Sequence, residues 1–272
     1  AVLSTIQTAS GHEFLAQISQ GEHIFMVADE VHRLGASKAQ NILSTIVGPK
    51  LGLSATPERA GDPSGTKAIF DFFGPIVPPV FGLMEAIAAK ALTPYFYNVH
   101  TVRLTPDEGD EWRSYSKRIQ RIYARIMSAG EDEGSNLAQQ LQTLLIQRAR
   151  IVKSAEGKTD VAVDILKSNY SDGQRWIVYC DDQTQMNEVT SSLKSSGLNK
   201  VFEYHSEMEG DKQETLRIFS ERGGVVVSIR CLDEGVDIPS VTHALILASS
   251  KNPREFVQRR GRVLRRHERK NF

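Results

Sequence analysis

Ile24-Phe25-Met26-Val27-Ala28-Asp29-Glu30-Val31-His32 is an apolar run that stops on two adjacent carboxylates. A run of this length, closed by charge, reads as a buried strand. It would deliver Asp29 and Glu30 to the C-terminal edge of a parallel sheet, where open α/β folds bind their ligands. One carboxylate at such an edge can hold a hydrated Mg²⁺ on a nucleotide. Its neighbour can orient or deprotonate the attacking water. The alternative is a strand ending in a solvated acidic turn followed by a helix.

On either side of this stretch the pattern stays α/β. Val2–Ile6, Lys50–Leu53 and Phe96–Val102 are further candidate strands, and Phe72-Phe73-Gly74-Pro75 with Pro78-Pro79 marks an irregular stretch. From Thr105 the character changes. Thr105-Pro106-Asp107-Glu108 supplies a cap, a proline at the first helical position and a glutamate at N3, which together predict a helix start. Trp112, Tyr115, Ile119, Ile122 and Ile126 then make one apolar stripe, while Arg113, Lys117, Arg121 and Arg125 recur every four residues on another face. The basic residues suit a solvated face, a partner contact or a grip on nucleic acid. Residues 128–135 read as a polar break, and a second helix runs from about Leu137 to Lys153.

A second α/β stretch follows, with strands expected at Trp176–Cys180, Lys200–Tyr204, Val225–Ile229 and His243–Leu247. Helices are expected around Gln185–Ser195 and Gly210–Arg222, with Gly197 and Gly223-Gly224 as stops. Strands alternating with helices predict parallel sheets. The expected organisation is 1–104, a helical insertion at 105–155, and 156–272.

Composition bounds the function. The 272 residues carry 33 basic and 33 acidic side chains, so any polyanion-binding surface must be a local patch. Cys180 and Cys231 have no partners at metal spacing, which argues against zinc and for a reducing compartment, cytoplasmic or nuclear. No apolar run is long enough to cross a bilayer, so no membrane partner is expected.

Three further constellations carry chemistry. Leu51-Gly52-Leu53-Ser54-Ala55-Thr56-Pro57 ends a strand in small hydroxyls that could sense a nucleotide by exchanging hydrogen bonds; an ordinary strand-to-loop turn is the plainer reading. Cys231-Leu232-Asp233-Glu234-Gly235-Val236-Asp237 follows a strand, so Gly235 would allow close backbone approach and Asp237 could accept from a ribose hydroxyl. Asn252-Pro253-Arg254-Glu255 starts a helix on which Gln258, Arg262 and Arg265 share a face. Gly261 costs that helix about 1 kcal/mol against alanine, which suggests close approach of backbone or ligand. Paired guanidinium groups suit a triphosphate. A basic tail is the competing reading, because Lys251 to Lys270 holds nine Lys/Arg against two acids.

Taken in order, these segments resemble superfamily 2 helicases and translocases of the DExH type. Leu51–Arg59, Phe72-Phe73-Gly74-Pro75, and Leu83-Met84-Glu85-Ala86-Ile87 with Pro94-Tyr95 look most like the XPB-related branch. The resemblance implies two RecA-like parallel-sheet domains, the first incomplete, that use ATP and Mg²⁺ on nucleic acid, double-stranded DNA before others, with protein partners in a larger assembly. It implies Asp29 on Mg²⁺, Glu30 on the attacking water, and His32 linking the site to the moving domain. Ser54 and Thr56 would couple, Gly235 and Asp237 would belong to motif V, and Arg262 and Arg265 would be arginine fingers beside Gln258. Thr5, Gln7, His205 and Ser206 fall where the family contacts nucleic acid.

One part of the pattern is missing. No Gly-x-x-x-x-Gly-Lys-Ser/Thr loop precedes Asp29. Gly157-Lys158-Thr159 matches only its tail, with Val152 where the first glycine belongs and helix where a strand belongs. The expectation is a record that begins inside the first motor domain and that, alone, does not hydrolyse ATP. A non-catalytic binding or scaffold module derived from such a motor is the alternative.

Overall fold

The computed structural model describes residues 1–18, 20–128, 131–229, 241–248, 257, 259, 261 and 263–267. The chain divides into two compact units, Ala1–Ala86 with Lys251–Val257 and Ile87–Ser250 with Gln258–Phe272.

The first unit begins with two short helices, α1 (Ile6–Ala9) and α2 (His12–Ile18). Four short strands follow: β1 (Gln20–Gly21), β2 (Met26–Ala28), β3 (Ile46–Val47) and β4 (Lys50–Gly52). They pair in parallel as β1 with β3 and β2 with β4. Two 3-10 turns, Val31–Gly35 and Gln40–Ser44, lie between β2 and β3. Helix α3 (Pro63–Phe73) starts on Asp62, whose side chain accepts from the Gly65 amide. The core gathers Val31, Leu34, Ala39, Ile42 and Ile69, with Met26, Ala28 and Phe73 packed on its edge.

Several expectations change here. Residues 1–5 hold no strand, because Thr5 caps α1 by accepting from the Thr8 amide. Residues 96–102 hold no strand either; with no partner to pair with, Phe96 and Val99 stay exposed. β2 is not fully buried. Its alternate side chains Met26 and Ala28 meet the core, while Val27 points the other way and is 54% exposed.

The second unit carries the larger sheet. After α4 (Leu83–Ala88), which runs across the boundary, come α5 (Pro106–Ile126), α6 (Glu131–Lys153) and α7 (Gly157–Asn169). Then β5 (Arg175–Cys180), α8 (Gln183–Ser195), β6 (Val201–Tyr204), α9 (Lys212–Arg222), β7 (Gly224–Ile229) and β8 (His243–Ile246) alternate as expected. All pairings are parallel, in the order β6-β7-β5-β8. β5 is buried along its whole length, which is why its sequence is a continuous apolar run with little alternation. One face of the sheet packs Ala162, Leu166, Met186, Val189 and Leu193; the other packs Phe219, Val241 and Val263. Gly197 and Gly223 close α8 and α9 with positive φ, as read from sequence. Buried Arg175 donates to the carbonyls of Ser220 and Glu221, satisfying the open end of α9.

α5 and α6 pack against each other. Both halves of the capping box at Thr105 and Glu108 form. Ile119 is the buried centre of the apolar stripe, and Arg113, Lys117, Arg121 and Arg125 are all exposed. The polar break is shorter than expected. α6 begins at Glu131, where three acids favour a helix N-terminus. The base of this pair is fixed to the sheet. Lys153 pairs with Asp181 at 2.9 Å, Gln185 donates to the Lys153 carbonyl, and Glu108 accepts from the Glu156 amide.

Candidate functional site

Adjacent strand ends bring four of the sequence-selected residues together in the first unit. Ala28 lies opposite Gly52, the Leu53 amide donates to Ala28, and the Val31 amide donates to Leu53. The chain after β2 is therefore stitched to the chain after β4, and Glu30, His32, Ser54 and Thr56 converge. His32 is 2% exposed. Its Nδ1 lies 3.0 Å from Ser54 Oγ and 3.3 Å from Glu30 Oε2. A proton on Nδ1 faces both acceptors. The Thr56 amide donates to Ser54 Oγ at 3.1 Å, which orients the hydroxyl. Motion of the loop after β4 would thus be felt at the imidazole, and through it at Glu30.

The acidic pair divides its surroundings. Asp29 is exposed and accepts the Glu30 amide at one oxygen, leaving the other turned to solvent. That suits a carboxylate on a hydrated Mg²⁺ whose remaining ligands come from water and phosphate. Among the described residues no group of three or more His, Cys, Asp or Glu could cage an ion. Glu30 adopts a left-handed backbone, φ 47 and ψ 45, as it caps the first 3-10 turn. This region costs a non-glycine residue of order 1 kcal/mol and recurs at functional sites.

Arg59, which sequence reasoning did not select, fixes the turn from beneath. It donates through Nη1 to the His32 carbonyl at 2.6 Å and through Nε to Asp62 Oδ2 at 2.7 Å. Asp62 Oδ1 meanwhile caps α3 through the Gly65 amide and Ser64. One carboxylate thus joins the start of α3 to the turn that carries His32. The available signal was the Asp62-Pro63 helix start, three residues beyond Arg59.

The Gly65 amide, with the Arg59 guanidinium and Ser64 hydroxyl, holds the Asp62 carboxyl below its ordinary pKa of 3.8. A depressed carboxylate stabilises the fold fully above its ordinary pKa and loses that contribution as pH falls through the lowered value. Asp62→Asn is therefore expected to lower the unfolding midpoint of the first unit at neutral pH. Its deficit relative to the parent should shrink in acid, a trend read by denaturation from about pH 6 to about pH 2. A deficit constant over that range would remove the electrostatic account. Asp62 is partly exposed, so salt should also reduce the effect.

The other selected residues are placed separately. Thr5 Oγ1 is engaged in capping and lies 3.0 Å from Thr8 Oγ1, while Gln7 is exposed on α1. His205 and Ser206 follow β6, and the Ser206 carbonyl accepts from Lys212. Arg113 pairs with Asp110; Lys117 and Arg121 face solvent on α5. Arg265 forms an isolated antiparallel bridge with Leu92, and the Thr93 amide donates to Leu264. Gly235, Asp237, Gln258 and Arg262 lie outside the described residues. At Gly261 the expected close approach of protein is not found, since an added Cβ meets nothing within 4 Å among the described residues. Lys158 opens no phosphate loop. Helix α6 precedes it, and its ammonium donates to the carbonyls of Lys153 and Leu247. Burial lowers its pKa.

Comparison with known proteins agrees with this geometry. Residues 157–267 match the family described as Helicase conserved C-terminal domain, and residues 1–59 match Type III restriction enzyme, res subunit. The DNA 3'-5' translocase XPB2 of Sulfurisphaera tokodaii is 25% identical over 260 residues, covering 89% of this chain and 55% of that protein. UvrABC system protein B of Clostridium acetobutylicum is 28% identical over 174 residues, covering 60% of this chain and 26% of that protein. The chain thus spans about half the length of one relative and about a quarter of the other. In fold it resembles the DNA-bound Type ISP restriction-modification enzyme LlaBIII, with TM-score 0.60, 17% identity and coverage of 99% of this chain and 19% of that one. It also resembles a fragment assigned to the HsdR subunit of a type I restriction enzyme from Vibrio vulnificus YJ016, with TM-score 0.59, 19% identity and coverage of 94% and 43%.

Parallel α/β units of RecA-like type, with a helicase C-terminal domain in the second, make this a superfamily 2 helicase or translocase chain. Within that class its relatives include the XPB-like branch.

Proposed function

We propose that the chain forms the nucleotide-hydrolysing part of an ATP-dependent helicase or translocase that moves on nucleic acid, with double-stranded DNA as its track. The observation that carries this reading is the hydrogen-bonded group of Glu30, His32, Ser54 and Thr56 at the ends of two paired parallel strands, beside the exposed Asp29.

ATP would be hydrolysed between the two RecA-like units. Asp29 would hold Mg²⁺ through water, and the ion, when bound, would neutralise charge on the phosphate oxygens. Glu30 would orient and deprotonate the attacking water. His32 would pass the state of Glu30 to Ser54 and Thr56. From the second unit, Arg262 and Arg265 would stabilise charge on the transferred phosphoryl group, with Gln258, Gly235 and Asp237 completing the pocket. The functional division proposed is 1–104, 105–155 and 156–272. Arg113, Lys117 and Arg121 would grip backbone phosphates without reading bases, as Thr5, Gln7, His205 and Ser206 would from their loops. The work would be done in the cytoplasm or nucleus.

The test uses the full-length protein. Nucleic-acid-stimulated ATP turnover is expected to fall by about 10³-fold on substituting Arg262 or Arg265 with Gln, a loss in the range of arginine fingers. Binding of a labelled duplex should change by no more than a few-fold and should weaken steeply with salt. Loss of duplex binding with normal turnover would instead assign the arginines to a basic nucleic-acid surface. Full-length protein that binds duplex but never hydrolyses ATP would support a non-catalytic module.

A further inference from the structure

The stretch that carries Gln258, Arg262 and Arg265 contains a third arginine whose surroundings differ from those of its neighbours. Val257, Arg259, Gly261, Val263 and Leu264 are helical. Arg259 is 2% exposed. Its Nη1 donates to the Ala248 carbonyl at 2.6 Å, just beyond β8. Its guanidinium lies 5.0 Å from the ring centroid of Tyr179, a fully buried residue of β5. Val263, one turn on, packs on the same sheet face as Tyr179.

Burying a guanidinium is costly unless its charge is compensated, and a helix that needed only packing would be served as well by leucine or methionine. The guanidinium adds geometry that an aliphatic side chain lacks. A planar fork that must both stack on one ring and reach one carbonyl fixes the helix in rotation and along its axis. At helical spacing, positions 262 and 265 point roughly 60° and 120° away from position 259 around that axis. Any twist that releases Arg259 would therefore swing both.

We propose that Arg259 is a positioning residue for ATP hydrolysis. Anchored on Tyr179 and the Ala248 carbonyl, it holds the helix in the rotation at which Arg262 and Arg265 meet the nucleotide phosphates. The proposal rests on the assignment of those two arginines to the nucleotide.

Arg259→Lys and Arg259→Met in the full-length protein, with turnover measured against ATP concentration at saturating duplex, test the idea. Both are expected to lower kcat by about 10-fold to 100-fold, the scale of loss when catalytic groups are displaced by an ångström. KM for ATP and duplex affinity should stay within a few-fold. Lysine should not rescue, because an ammonium cannot stack and donate in the same plane. Tyr179→Leu removes the ring and keeps the charge; it should lower kcat in the same direction, and it provides the reading if Arg259→Met does not fold. A lowered melting temperature with kcat unchanged in Arg259→Lys and Tyr179→Leu would reduce Arg259 to packing and overturn the proposal. Arg262→Gln and Arg265→Gln are made in parallel. Normal turnover in those two would overturn the assignment beneath the proposal, whereas their inactivity beside full activity of the Arg259 variants would overturn the proposal alone.

Discussion

Glu30→Gln is expected to lower the stimulated ATP turnover of the full-length protein by about 10²-fold to 10⁴-fold, the contribution typical of a general base. The exchange is nearly isosteric, so it should leave the turn after β2 intact. An amide oxygen can still accept from His32 Nδ1, which lies 3.3 Å from Glu30 Oε2 in the parent. What disappears is the capacity to take a proton from water. ATP affinity should change little, because the residue proposed to reach Mg²⁺ is Asp29. Single-turnover kinetics separates the step: hydrolysis of bound ATP should slow while nucleotide binding stays within a few-fold. Turnover within a few-fold of the parent would remove Glu30 from the chemistry and leave its left-handed backbone as a feature of the turn alone.

Gly35→Ala should damage the first unit by about 3 kcal/mol, the upper part of the range for overpacking. A Cβ on Gly35 would stand 2.7 Å from the Gly65 carbonyl oxygen and 2.9 Å from Ile69 Cδ1, and would collide with Arg59 Cδ. The Gly65 carbonyl belongs to the first turn of α3, which Asp62 caps, so it cannot turn aside without breaking that cap. Arg59 cannot swing away without releasing the His32 carbonyl. Trp112 and Trp176, the only tryptophans, lie in the second unit. Their fluorescence would miss the loss, so hydrogen exchange across the first 3-10 turn and α3 is the measurement. Gly134→Ala in α6, where an added Cβ meets nothing within 4 Å among the described residues, is the control and should be neutral or slightly stabilising. Equal protection in Gly35→Ala and the parent would show that the close approach of the turn to α3 is slack.

Legibility in the sequence followed how local each signal was. β5 and β7 read directly because both faces of their sheet are covered, so every position of Trp176–Cys180 and Val225–Val227 is apolar. The α5 start was equally plain, since its cap, proline and glutamate lie within four residues. Residues 2–6 and 96–102 misled for the opposite reason. Their apolar content suits a strand, but a strand exists only where a neighbour pairs with it, and that neighbour is not written in the segment itself. The candidate site shows the same contrast. Asp29, Glu30, His32, Ser54 and Thr56 stand out as short motifs at strand ends. Arg59 does not, because its partners are at 32, 62 and 66. Arg259 was hidden in another way: in a run of nine basic residues, composition does not separate the one buried under a sheet from those in water.

The anchoring of α5 and α6 has a mechanical consequence. Lys153 bound to Asp181, and Lys158 bound to the carbonyls of Lys153 and Leu247, weld the base of the helical pair to the sheet of the second unit. Helices of 21 and 23 residues project from that base for roughly 30 Å. A lever of this length multiplies small angles: turning its base by about 10° would carry the far end through roughly 5 Å, more than one base-pair step of a duplex. The pair would then act as a pointer geared to the second unit, converting a small rotation at its foot into a stride at its tip.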